Sequence, residues 1–245
     1  MKTEAELIYE GKAKKIFAHQ DPEKVIIEFK DDATAFNALK KSKFDGKGEL
    51  NCLISKNIFE YLINKNIPTH YIKSNSNISF IAQKIDIIPL EVVVRNIAYG
   101  SLCKQTNIKP GQIFENPLMD FYFKNDKLND PLLTLERINI MNILSDQELT
   151  IIKQLTYKIN EILQQFFLNI QLTLVDFKVE FGRNSKGQIV LADEFSPDNC
   201  RLWDLKANNG KMKSLDKDRF RHDLGDLIEA YSEINNRIEH FISST

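Results

Sequence analysis

The spacing of apolar residues changes along this chain. In VIIEFK, residues 25–30, Val25, Ile27 and Phe29 alternate with their neighbours and share one strand face. Upstream, AELIYEG and KKIFAHQ flank a Gly-Lys turn, and DPEK turns the chain into that strand. A helical period takes over in GELNCLISKNIFEYLINKN, where Leu50, Leu53, Ile54, Ile58, Tyr61 and Leu62 form a stripe that stops before Pro68. KSNSN reads as a turn between this helix and the strands ISFIAQKI and LEVVVRN. Ser145 and Glu148 form an S-x-x-E capping box opening a long helix whose stripe is Leu149, Ile152, Leu155, Ile159, Ile162, Leu163 and Phe166. A closing helix is predicted from about Asp218 to Ile242, with Phe220, Leu224, Leu227, Ile228, Tyr231, Ile234, Ile238 and Phe241 inward. Strands first, then strands mixed with long helices, predict an α+β fold in two lobes. Residues 1–86 form the mainly antiparallel β lobe, and residues 87–245 the larger α/β lobe with long helices. Clefts between lobes are common ligand sites.

One strand carries more charge than a sheet needs. In LVDFKVEFG, residues 174–182, Val175, Phe177, Val179 and Phe181 point one way and Asp176, Lys178 and Glu180 the other. A hairpin around RNSKG brings LADEFSPDNCRLWD alongside, adding Asp193, Glu194, Asp198, Arg201 and Asp204. Mg²⁺ takes one or two carboxylates in a rigid frame and fills its shell with phosphate and water oxygens. Glu180 and Asp193, on neighbouring strands, are candidates. Whether Asp193 or Glu194 shares the side of Glu180 depends on loop parity, since a slip of one residue flips the face. A solvated hairpin with an ordinary ion pair would use the same residues.

Composition narrows the choice. The chain has 245 residues, is 42% hydrophobic and 27% charged, and carries a net charge of −1. No global field therefore draws it to nucleic acid or to a membrane surface. Its 3 cysteines and 4 histidines are scattered, which speaks against a zinc site or a disulfide framework. The start lacks an apolar signal core and no apolar run reaches membrane-spanning length, so a cytoplasmic protein is expected. A homo-oligomer is compatible with all of this. Three further groups carry candidate chemistry. Gly11, Lys12, Lys14 and Lys15 in EGKAKKIF form either a phosphate-facing turn or an exposed charged hairpin. In PLEVVVRNIAYGSL, Glu91 and Arg95 share a strand face and Ser101 opens a short helix, either as an anion site or as a simple cap. KNDKLNDP adds Lys124, Asp126 and Asp130 in a polar loop. Two phosphate-binding regions with a metal between them imply a nucleotide and a second phosphorylated ligand.

The ordered stretches YEGKAKKIF, FKDDATAFNA, PLEVVVRNIAYGS, KNDKLNDP, LVDFKVEFG, LADEFSPDNCRLWD and LDKDRFRHDLG run from residue 9 to residue 225 and resemble the SAICAR synthetase family, in its bacterial single-function form. Ala38 departs from the glycine common after FN in that family. The resemblance implies a first lobe similar to a protein kinase N-lobe, with ATP in the interlobe cleft. It implies that ATP, the carboxylated aminoimidazole ribotide CAIR and L-aspartate give SAICAR, ADP and phosphate, with Mg²⁺. By position, Lys12, Ala13 and Lys14 match the triphosphate site, and Gln83, Lys84, Ile85 and Asp86 the segment along adenine. Glu180 and Asp193 match the metal and nucleotide ligands, and Arg95, Ser101 and Arg201 the ribotide clamp. Glu91, Lys124, Asp130, Asp176 and Lys178 match the surroundings of the CAIR carboxylate. Lys12, Lys124, Asp176 and Lys178 are the catalytic candidates, Asp176 as the base. Another ATP-dependent small-molecule kinase and a non-catalytic nucleotide-binding regulator are the rival readings.

Overall fold

The computed structural model describes residues 5–35, 40–206 and 213–244. Strands β1 (Leu7–Glu10), β2 (Lys14–Ala18) and β3 (Lys24–Phe29) come first, then a two-stranded ladder of β4 (Asp32–Ala35) and β5 (Lys40–Lys43). Ala38 lies outside the described residues. Helix α1 (Lys47–Asn64) leads to β6 (Tyr71–Ser76), β7 (Ser79–Gln83) and β8 (Asp86–Ile97). After α2 (Ser101–Gln105) come β9 (Ile113–Phe123), β10 (Leu132–Leu133), α3 (Leu135–Ile140) and α4 (Asp146–Asn169). The chain then runs through β11 (Leu172–Arg183), β12 (Ile189–Ala192), β13 (Cys200–Asp204), β14 (Lys213–Ser214), α5 (Asp218–Arg221) and α6 (Leu227–Ser243).

These strands form two larger antiparallel sheets, which makes the fold α+β. The first has the order β1-β2-β3-β7-β6; the second is β10-β9-β8-β11-β13-β14, with β12 also on β11. Gln83–Asp86 carries the chain from one sheet to the other. A continuous apolar core joins Phe29 and Phe80 of the first sheet to Ile58 and Phe59 of α1, Phe166 of α4, Phe177 and Phe181 of β11 and Ile234 of α6. Among the described residues, no helix is long and apolar enough to cross a membrane.

The capping box forms as the sequence predicts. Glu148 N–H donates to Ser145 Oγ at 3.3 Å, and Ser145 N–H donates to Glu148 Oε2 at 2.9 Å. Glu148 also accepts from Arg183 Nε at 2.5 Å, which ties the start of α4 to the end of β11.

Four expectations need correction. KSNSN is not a turn: most of it belongs to β6, an edge strand, where backbone pairing with β7 holds polar side chains that face water. The closing helix starts at Leu227 rather than Asp218. Gly225 breaks it with φ +103°, and the Asp226 carboxylate accepts from the backbone of Ile228 and Glu229 at 2.9 and 3.1 Å. Leu224, expected inward, is 52% exposed in the break. Val175 leaves the face of Phe177 because β11 bulges between Leu174 and Asp176, and it packs with Ile97 and Trp203 instead. Finally β9, unassigned from sequence, borders β8 along most of its length.

Gly182 lies close against the crossing segment. A Cβ there would lie 2.7 Å from Ile85 Cδ1 and 2.9 Å from the Asp86 carbonyl oxygen. Gly182→Ala should therefore force the backbones apart and destabilise the fold by about 1–3 kcal/mol. Thermal melting should show it, at roughly 2–4 °C of Tm per kcal/mol for a chain of this size. An unchanged Tm would mean that the two segments have slack.

Candidate active site

The charged face of β11 is turned into the protein, with Asp176 and Glu180 both buried. Lys178 lies between them. Its Nζ reaches Glu180 Oε1 at 2.8 Å, Glu91 Oε1 at 2.9 Å and Asp193 Oδ2 at 3.5 Å. The register explains the convergence: Glu180 pairs with Glu91 on β8 and with Ala192 on β12, so Asp193 is the next residue beyond. Asp193 has φ +62°, a left-handed conformation that Asp tolerates better than most residues. The carboxylate shares Lys178 with Glu180, which answers the parity question. Glu194 also faces the cluster from one side: Lys14 ion-pairs with Asp193 and lies 3.2 Å from Glu194 Oε1. Lys124 closes the group by pairing with Glu180.

Burial alone would discharge these groups, but their mutual attraction outweighs it. For Lys178, burial works against the charge, yet Glu180, Asp193 and Glu91 hold it well above the ordinary lysine range. Lys14 behaves alike, opposed by burial and raised by Asp193 and Glu194. Burial would lift Asp193, whereas Lys14, Lys178 and Lys124 keep it well below the carboxylate range. Lys14, Lys178 and Asp193 thus each hold their charge against burial.

A second cluster sits at the other end of the same strand face. Asp176 is in register with Arg95 on β8 and Arg201 on β13. Its Oδ2 lies 2.7 Å from Arg201 Nη1 and 3.5 Å from Arg95 Nη1. Arg95 also reaches Asp120 at 3.0 Å and donates to Ser101 Oγ at 3.3 Å and to Tyr122 Oη at 3.2 Å. Arg201 is held from behind by Asp218 at 2.7 Å, and its guanidinium faces the Tyr99 ring at 5.4 Å. Gly100, with φ +64°, permits this crowding, since a Cβ there would stand 2.7 Å from Arg201 Nη2. Gly100 rather than Ser101 is the N-cap of α2, so Ser101 contributes its hydroxyl to Arg95 and not to a cap. Burial raises the pKa of Asp176, against the pull of Arg201 and Arg95.

The remaining candidates frame these clusters. Lys12, at the tip of the β1–β2 turn, pairs with Asp126 at 2.7 Å and so touches the loop that carries Lys124. Asp130 shapes that loop by accepting the Asn125 N–H at 2.8 Å. Ala13 anchors the turn through its carbonyl, which accepts from Lys30 N–H at 2.8 Å. In the crossing segment, Gln83 N–H donates to the His70 carbonyl at 2.7 Å and Lys84 N–H to that of Glu23 at 2.8 Å, while Ile85 and Asp86 pass beside Gly182. Asp120, Tyr122 and Asp218 were missed from sequence. The first two had a readable signal, because Leu118, Asp120 and Tyr122 alternate with Met119, Phe121 and Phe123.

Known proteins resemble this chain along almost its whole length. A protein of Prochlorococcus marinus (strain CCMP1986 / NIES-2087 / MED4) named phosphoribosylaminoimidazole-succinocarboxamide synthase is 70% identical over 242 residues, covering 99% of this chain and 100% of that protein. The structure of the enzyme of that name from Ehrlichia chaffeensis superposes with a TM-score of 0.92 at 46% identity, covering 96% of this chain and 98% of that one. A SAICAR synthetase solved in complex with ADP gives 0.89 at 47% identity, with 94% and 96% covered. The sequence profile of SAICAR synthetase matches residues 7–238, a span that holds both sheets and each charged group described above, and the chain belongs to that family.

Proposed function

We propose that this chain joins L-aspartate to the carboxylate of CAIR at the expense of ATP, giving SAICAR, ADP and phosphate for de novo purine biosynthesis in the cytoplasm. The observation that carries this is the pair of charged clusters on one strand. Asp176 and Glu180 are four residues apart, ~13 Å at the rise of a strand, which suits two anionic substrates meeting between them. The ADP-bound relative supports a nucleotide site. Residues 1–86 serve as the nucleotide lobe and residues 87–245 as the substrate lobe.

In this assignment Lys12, the Ala13 backbone and Lys14 face the triphosphate, and Gln83–Asp86 runs along adenine. Arg95, Ser101 and Arg201 hold the ribotide phosphate, offering planar forks that suit its oxygens. Glu91, Lys124, Asp130 and Lys178 surround the CAIR carboxylate. Asp176 is assigned to holding the two arginines in place. Its carboxylate already accepts from both, and taking a proton would weaken the contact that joins Arg95 to Arg201, so it is poorly suited to act as the base.

Glu180 and Asp193 suit Mg²⁺. Both are hard oxygen donors fixed on adjoining backbone and drawn together by Lys178. When bound, Mg²⁺ would help to spread the charge of the transferring phosphoryl group.

A carboxylate is a poor electrophile, because attack by an amine would have to expel oxide. Transfer of the γ-phosphoryl group to a CAIR carboxylate oxygen releases ADP and makes an acyl phosphate. The neutral amine of aspartate then attacks the acyl carbon, the carbon–oxygen bond to phosphate breaks, and the nitrogen loses a proton as the amide forms. Lys12 and Lys14 are placed to offset charge on the phosphoryl oxygens, and Lys178 and Lys124 to steady the carboxylate.

Glu180→Gln and Asp193→Asn preserve shape and remove charge. Each should lower turnover by at least ~10²-fold, in line with one lost electrostatic stabiliser, while far-UV circular dichroism stays native. Near-normal activity in both variants would remove them from the site. The reaction route has a separate test. CAIR labelled with oxygen-18 in its carboxylate should pass one labelled oxygen to inorganic phosphate per turnover, and continued ADP release over many turnovers should need both CAIR and aspartate. Unlabelled phosphate would overturn the acyl phosphate. Continued ADP release over many turnovers without aspartate would favour a small-molecule kinase, and ADP release with neither substrate would point away from ligation.

A further inference from the structure

The buried face of α4 carries two polar side chains among its apolar ones, Thr156 and Asn160. Asn160 is 3% exposed and faces Asn96 of β8, which is 6% exposed. The two amides pair reciprocally, each Nδ2 donating to the other's Oδ1 at 2.9 Å. Asn96 Nδ2 has a second hydrogen, and it donates this to the Leu174 carbonyl at 3.2 Å.

Leu174 is where β11 goes out of phase. Leu174 pairs with Leu202 and Asp176 with Arg201, so two steps on β11 match one step on β13. Without that extra residue, Arg201 would be in register with Val175 and turn to the opposite face. On the other side of β11, the ladder to β8 reaches the Asp176–Arg95 pair, and the Leu174 carbonyl beyond it meets the side chain of Asn96. The β8–β9 ladder also shifts register between Arg95 and Ile97. Asn96 thus lies where β8 departs from the regular register with β9, and its amide links that place to the bulge.

We propose that Asn160 is a positioning residue for the anion clamp: through Asn96 it holds the β11 bulge that puts Asp176, Arg95 and Arg201 on one face. It touches none of the three. Its effect passes through one amide pair and one carbonyl, from a helix behind the sheet to the charged face in front. The inference rests on the assignment of Arg95 and Arg201 to the ribotide phosphate.

Steady-state kinetics of Asn160→Leu, Asn160→Ser and Asn160→Asp test it, with Arg201→Ala as the reference. Asn160→Leu should raise the KM for CAIR by about five- to tenfold, a fraction of the ten- to hundredfold that a lost charge-assisted hydrogen bond gives. The KM for ATP and kcat should stay near wild type. Asn160→Ser removes the amide without adding bulk and carries the same expectation if the leucine variant folds poorly. Asn160→Asp keeps the acceptor for Asn96, and in its buried, protonated form the donor too, so it should restore the CAIR KM. A drop in Tm with all KM values unchanged, or an equal rise for CAIR and ATP, would show a purely structural role and overturn the proposal. Failure of Asn160→Asp to restore the CAIR KM would also overturn it. If Arg201→Ala leaves the CAIR KM unchanged, the clamp assignment itself fails, and the proposal with it.

Discussion

Lys178 sits among Glu91, Glu180 and Asp193, and the rest of the site is arranged around that contact. Removing any one of these charges from water costs several kcal/mol, and mutual attraction repays this only where geometry and hydrogen bonds are good. A face of Asp176, Lys178 and Glu180 is therefore a poor way to stabilise a sheet. It is an effective way to keep fixed charges shielded from water, where they would interact strongly with an anionic ligand. The lysines are already oriented by carboxylates, so an arriving phosphate would meet cations whose positions are set in advance.

Strand β11 spaces the two charged centres and the core holds it still. Phe177, Val179 and Phe181 are buried against the main core, while β8, β12 and β13 pair with its edges. The bulge at Val175 changes the facing of residues at one end only. Arg201 consequently joins Asp176 while Lys178 and Glu180 keep their alternation. A flat ladder would separate the arginines; a looser one would blur the spacing between centres.

The legible features were those whose cause is local in sequence. The capping box at Ser145, the α1 helix with Ile54, Ile58 and Leu62 buried and the acid-base-acid alternation of β11 each follow from neighbours within one turn or one strand, and the structure has them. The side taken by Asp193 depended on the register of β12 and on a left-handed φ, neither of which has a local signature in LADEF. The phase change at Val175 depends on β13, far along the chain. Gly225 and Asp226 did carry a stop-and-start signal inside the closing helix, but the apolar spacing across them hid it. Asp218 was visible only as a charge in LDKDRFRHDLG; its grip on Arg201 is a tertiary fact.

Lys14 comes from the first sheet and Asp193 from the second, so their contact requires the two sheets to be fixed relative to each other. A buried knot behind the site supplies that link. Lys47, the first residue of α1, is 0% exposed and pairs with Asp198 at 2.6 Å. Tyr231 of α6 donates its hydroxyl to the same carboxylate at 2.7 Å. Burial would lift Asp198, but Lys217 and Lys47 hold it well below the usual range. Breaking such a pair leaves an uncompensated buried charge, a cost of about 3–5 kcal/mol. Asp198 follows Asp193 by five residues, so the same short loop is held at one end by α1 and α6 and presents its carboxylate to Lys14 at the other. The helix beneath the first sheet thereby fixes the loop of the second, and the Lys14–Asp193 ion pair inherits its geometry from one buried behind it.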